Sequence, residues 1–188
     1  MPVSKYALNA KISAMLTFLK TLFQPKPSNA ALAWRLIQNK AGNDASSGYW
    51  LYAAPVHLVL QRDSFSLAAP VPLPLEIDEC VALTAALNQH FSQDAAANKV
   101  QFFWYDSMWF LRLDSNPNIQ TTAPQAALNK DVSAYLPTGD GAMQWAKFSN
   151  EMQMLLFEHP VNQAREAKNL PAINSVWCYG GGQMEHAN

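Results

Sequence analysis

Cysteine is scarce: Cys80 and Cys178 are the two in 188 residues, too few for a disulfide framework. They read as reduced, partly buried thiols of a cytoplasmic protein, although the sequence leaves a single bridge between them open. No apolar run reaches the roughly 18 residues of a membrane helix. The apolar stretch from Ile12 to Phe23 is broken by Lys20 and has no small-residue cleavage site after it, which argues against a secretory signal. Charge of one sign is also missing: the net is −1, so the chain as a whole carries no nucleic-acid signature. Its six tryptophans are not interleaved with basic residues as a base-stacking platform requires. His57, His90, His159 and His186 show no short ligand spacing, and the carboxylates form no recognisable pair. No serine sits in a nucleophile-elbow pattern. From residues alone, no metal, no cofactor and no catalytic residue is expected.

What is present is a sizeable apolar fraction, 49%, enough to bury a core without covalent staples. Its basic residues are unevenly spread. Residues 1–43 contain Lys5, Lys11, Lys20, Lys26, Arg35 and Lys40 and no acid, while the remainder holds all 14 acids against seven basic residues. The expected organisation is a basic helical segment over 1–43, one α+β domain over 48–182, and a flexible tail over 183–188. In the first segment Leu8, Ile12, Met15, Leu16, Leu19 and Phe23 recur at helical spacing. Gln24-Pro-Lys-Pro27 interrupts them, and a second helix runs to about Gln38. The first helix suits either the chain's own acidic body or a peripheral membrane contact through residues 5–23.

In the body, Tyr49–Ala54 and Val56–Gln61 read as strand bent around Pro55, turning at Arg62-Asp63-Ser64 into Phe65–Ala68. A prolyl connector follows, then a helix from about Asp78 to Phe91 with Ile77, Val81, Leu83, Leu87 and His90 inward. Val100–Tyr105 and Met108–Leu113 form a hairpin around Asp106-Ser107. Residues 114–141 read as a long surface excursion. Gly141–Glu158 is a helix with Trp145, Phe148, Met152, Leu155 and Leu156 on one face. Asn162 is positioned to cap a short helix to about Lys168, and Ile173–Tyr179 is a last strand, ended by Gly180–Gly182. The expected class is α+β: a mainly antiparallel sheet of about five strands in hairpins, helices on one face. Aromatics on such a sheet make a homodimer a reasonable expectation.

The candidate ligand-binding residues are His57, His159, Asn162, Arg165, Asn174, Gly180 and Gly181. His57 is either a site histidine on a sheet face or a hydrogen-bonded structural one. His159 follows the long helix, whose C-terminal dipole favours a charged imidazole. Arg165 near a helix start suits a phosphate or carboxylate clamp, or a structural ion pair to Glu158 or near Glu166. Gly180-Gly-Gly182 can let backbone approach an anion, or begin a flexible tail.

Trp145, Asn150-Glu-x-Gln-Met154, His159-Pro-Val-Asn162, Arg165-Glu166 and Asn174-Ser-Val-Trp177 with Gly180–Gly182 together resemble the RpfE-type regulatory proteins of proteobacteria. Tyr49-Trp-Leu with Pro55-Val-His-Leu58 resembles the upstream segment of that family, with Ala54 in place of its aspartate. Asn169 stands where the pattern has glycine. The resemblance covers roughly residues 48–182. The His-Pro-x-Asn-x-x-Arg run is in turn similar to part of the archaeal-type cofactor-independent phosphoglycerate mutases. There, the resemblance implies, this segment leads out of an inserted domain, while the phosphorylated serine and the two-metal ligands lie in a larger domain. This sequence shows no counterpart of those ligands. The expectation is therefore a non-enzymatic regulatory or binding module with a protein partner or a small anionic ligand. A metal-dependent mutase-like or phosphatase-like enzyme is the alternative.

Overall fold

The computed structural model describes residues 30–41, 47–92 and 99–184. The expected helix over 5–23, the loop at 94–98, His186 and the last four residues of the expected tail lie outside them. In chain order the elements are α1 (Ala30–Ala41), β1 (Gly48–Val56), β2 (Leu58–Leu60), β3 (Phe65–Leu67), α2 (Ile77–Phe91), β4 (Val100–Tyr105), β5 (Met108–Leu113), α3 (Pro124–Ala127), a 3-10 turn (Val132–Tyr135), α4 (Ala142–Phe157), α5 (Pro160–Ala167) and β6 (Ser175–Met184). Four strands form one antiparallel sheet in the order β4-β5-β1-β6, and β2 and β3 form a separate hairpin. This is the α+β class expected, with six strands among the described residues rather than about five.

Alternation along the strands gives the main sheet two different faces. On one, Leu51, Ala53, Phe102, Leu111 and Cys178 meet Leu83 and Leu87 of α2 and Trp145, Met152 and Leu156 of α4. This is the main core. On the other, Trp50 and Phe110 meet Trp34 of α1 and Met184, so helices pack on both faces of the sheet. The α4 face read from the sequence is borne out. That of α2 is corrected: Cys80, Leu83, Thr84 and Leu87 are buried, whereas Ile77 and Val81 are exposed and His90 pairs with Glu151 near the surface.

Local chemistry explains the boundaries. Asp106 and Ser107 both take positive φ, 45° and 65°, the pair of left-handed residues that a tight two-residue hairpin demands. The helix α2 starts at a capping box in which Glu76 and Glu79 exchange backbone and side-chain bonds. The expected bend at Pro55 falls instead after Val56, because Pro55 stays in register with Val176 of β6. Its carbonyl accepts from Leu73 on the outer side. The missing N–H faces the same way, where β5 no longer pairs with β1, so no ladder bond is lost.

The glycines do not end the last strand: β6 runs through them to Met184. Between Trp50 and Tyr52 the register of β1 slips by one against β6. The extra residue is a bulge at the glycines. Gly180 has φ +64°, and a Cβ at Gly181 would collide with the Tyr49 phenol. The stretch 114–141 is more ordered than the expected excursion. Leu128 and Asp131 bridge to β3, and Pro124, Ala127 and Val132 are buried. Among the described residues no helix is long and apolar enough to cross a membrane.

Candidate functional site

Four of the seven candidate residues meet at one stretch of main chain, 171–174, just before β6. The Arg165 Nε donates to the Pro171 carbonyl at 2.8 Å. The His57 Nδ1 bonds the Ala172 carbonyl at 2.8 Å; a carbonyl only accepts, so that nitrogen carries the ring proton. Asn162 donates from Nδ2 to the Ile173 carbonyl at 2.8 Å and accepts from the Ile173 N–H at 2.7 Å. Three successive carbonyls are thus held by three side chains from β1's end and α5. Asn174 then binds both N–H and C=O of Leu58, at 2.7 and 2.8 Å.

Each asparagine here acts as a one-residue substitute for a strand, matching an amide's donor and acceptor to a backbone N–H and C=O. Asn88 does the same for Phe102, at 2.6 and 2.9 Å, and so ties edge strand β4 to α2. Asn88 sits in no motif, so nothing in the sequence marks it.

The Arg165 side chain is 2% exposed and its Nη1 lies 2.8 Å from Glu79 Oε2. The expected partners near α5 are corrected: Glu79 is 86 residues away and already caps α2 with the same oxygen. A buried ion pair is tolerated when its remaining hydrogen bonds are also made. Here the Pro171 and Pro74 carbonyls supply them. Asn162 is corrected as a cap. Pro160 is at the first helical position, so His159 is the cap residue, its Nδ1 accepting from the Val161 N–H at 3.2 Å. Burial holds the His159 imidazole below its ordinary range, so its neutral form is favoured, opposite to the charged form expected from the preceding helix. At the end of α5, Asn169 takes φ +55°, the conformation a glycine would supply there. Gly180 and Gly181 lie in the bulge of β6, among the sheet's own strands. Burial pushes the Cys178 thiol up to about 12, and Cys80 is raised in the same way; both are free and buried.

Beside this clamp lies a small cleft along β6, the last strand of the sheet. It has room for about 60 Å³, the space of a few water molecules. Tyr135, Trp145, Ser149, Gln153, Ser175 and Trp177 line it. The Trp177 indole donates to the Thr122 carbonyl at 2.8 Å, pinning the 120–137 stretch over that edge. None of these residues is a site candidate from the sequence, where Trp145, Gln153, Ser175 and Trp177 fall within motifs. Among the described residues no group of three or more His, Cys, Asp or Glu is placed to hold a metal ion.

No family model matches the sequence. A 2,3-bisphosphoglycerate-independent phosphoglycerate mutase from Methanothrix thermoacetophila is 36% identical over 61 residues, 32% of this chain and 16% of that protein. The cofactor-independent phosphoglycerate mutase from Thermoplasma acidophilum superposes with a TM-score of 0.57 at 13% identity, covering 81% of this chain and 41% of that one. The fold is shared with part of that mutase. Identity this low establishes the fold alone, and the chain spans less than half of the mutase it superposes on. In the mutase-like fold of this chain, the His-Pro-x-Asn-x-x-Arg run is the part that fastens α5 to the start of β6.

Proposed function

We propose that this chain is a non-enzymatic regulatory or binding module of the RpfE type, built on the mutase fold and engaging a protein partner. The burial of the clamp supports this most. Arg165 and Asn162, the run's best phosphate-binding groups, are 2% and 6% exposed. Their hydrogen bonds go to Glu79, Pro171, Ile173 and Leu156. Freeing them for an anion means leaving the buried Ile173 N–H and carbonyl and the half-buried Glu79 carboxylate unpaired, at about 1–3 kcal/mol for each buried group.

The surface offered to a partner is the cleft along β6. Its rim presents the Ser149 and Ser175 hydroxyls and the Gln153 amide beside the tyrosine and tryptophan rings, a set of groups that suits a polar partner side chain. A mutase-like or phosphatase-like enzyme is the other reading, favoured by the activity in the relatives' names. Interconversion of 2- and 3-phosphoglycerate with Mn²⁺ or Zn²⁺ separates the two. No turnover above buffer from the folded full chain is expected. Metal-dependent turnover lost in His159→Ala would instead establish the enzyme.

A further inference from the structure

Among the described residues β4 is an outer strand of the main sheet, with β5 alone beside it. Its run Val100-Gln-Phe-Phe-Trp-Tyr105 contains no charge, no proline and no glycine. A short uncharged run of β-branched and aromatic residues is the composition that pairs most readily with copies of itself. Outer strands are usually made unattractive to other strands by a lysine, a proline or a bulge. β4 has none of these. It follows β5 in unbroken register from Val100 to Tyr105, and Lys99 and Asp106 lie just beyond its ends.

The turn decides which backbone groups face outward. Tyr105 and Met108 close the two-residue hairpin at Asp106-Ser107, so they exchange ladder bonds. By the period of two, Gln101 and Phe103 also pair with β5, while Val100, Phe102 and Trp104 turn their N–H and C=O away from it. The middle one of these three is already taken. Asn88, in the last turn of α2, accepts from the Phe102 N–H at 2.6 Å and donates to the Phe102 carbonyl at 2.9 Å. One side chain of the same chain thus fills the centre of the row that an incoming strand needs.

We propose that Asn88 guards a latent pairing edge: by occupying Phe102 it keeps β4 from pairing with β4 of a second copy of the chain. With Phe102 taken, Val100 and Trp104 are isolated positions about 13 Å apart, too far apart for adjacent rungs of a ladder. Once Phe102 is free, an antiparallel pair centred on it sets Val100 opposite Trp104 and Gln101 opposite Phe103 across the two copies. No charge is buried in such a pair.

Sedimentation velocity and residue-resolved amide exchange on the full chain test this together. In the unaltered chain the Phe102 amide should exchange slowly and the Trp104 amide fast, at every concentration. Asn88→Ala frees both Phe102 groups. It should associate as concentration rises, and its Trp104 amide should slow at least tenfold as it does. Asn88→Asp loses the donor but leaves a charge at the edge, and should stay unassociated. Far-UV dichroism checks that each variant is folded, and if Asn88→Ala is not, Asn88→Ser, too short to reach both Phe102 groups, is read in the same way. Three results overturn the proposal. The folded variant keeps a fast Trp104 amide up to millimolar concentration. Asn88→Asp associates as strongly as Asn88→Ala, which assigns Asn88 to holding the fold alone. The Trp104 amide is already slow in the unaltered chain, which means that another strand holds the edge.

Discussion

The clamp at 171–174 and the aromatic face around Trp34 are opposites in composition and in completeness. The clamp is built of histidine, arginine and asparagines, yet nearly every group is satisfied within the chain. The face is built of tryptophan, phenylalanine, tyrosine and methionine, yet it holds a buried N–H without an acceptor and a half-exposed tyrosine. Polarity alone is therefore a poor guide to where a protein meets others. What matters is whether the groups already have partners.

Removing the most buried member of the clamp should have the largest effect. Arg165→Ala leaves the half-buried Glu79 carboxylate without its cation and the Pro171 carbonyl without its donor, and a loss of about 3 kcal/mol in urea unfolding is expected, the low end for a buried pair because water still reaches Glu79. Arg165→Met should lose less, because it keeps the packing of the stem. Asn162→Ala strands the Ile173 N–H and carbonyl, while the Leu156 carbonyl keeps the His159 N–H, and a loss of about 2 kcal/mol is expected. If Arg165→Ala and Asn162→Ala unfold at the wild-type midpoint, the clamp does not hold the segment and the contrast collapses.

His159 sharpens the comparison by pH. Its folded pKa lies below its ordinary value because of burial, so the unfolded chain takes up a proton first as pH falls. Stability from this group is full above about 6.5, the ordinary histidine value. It declines below that, until the folded imidazole also protonates and its Nδ1 no longer accepts from Val161. His159→Ala should cost about 0.5–2 kcal/mol at pH 8, as a lost cap, and flatten the decline between pH 7 and 5. An unchanged slope in the variant would assign the pH dependence elsewhere. The smallest change is expected on the aromatic face: Trp34→Phe removes the orphaned N–H with most of the ring, so calorimetry should find stability within about 1 kcal/mol of wild type. A large loss there would mean that the indole nitrogen has a partner after all.

Much of this was legible in local sequence. The β4–β5 hairpin follows from two turn residues between aromatic runs, and the buried face of α4 from the spacing of Trp145, Met152 and Leu156. The clamp was legible in residues and not in roles. His57, Asn162, Arg165 and Asn174 stood out, but their partners lie at separations of 115, 11, 86 and 116 residues, which periodicity cannot see. One error had a local remedy: Pro160 marks the first helical turn and so makes His159, not Asn162, the cap. The bulge at Gly180–Gly181 was out of reach, because it is set by the register of β6 against β1 and by Tyr49 overhead. The cleft along β6 was equally hidden, since Tyr135, Gln153 and Trp177 come together through the fold alone.

The central claim is that the clamp's polar groups hold the chain rather than a ligand. Thermal unfolding of the full chain and of Arg165→Met, each with and without millimolar inorganic phosphate or 3-phosphoglycerate, tests it most directly. The account predicts that the variant unfolds at lower temperature by the same margin under all conditions, and that neither anion raises the midpoint of the unaltered chain. A midpoint raised by the anion in the unaltered chain, and not in Arg165→Met, would contradict it.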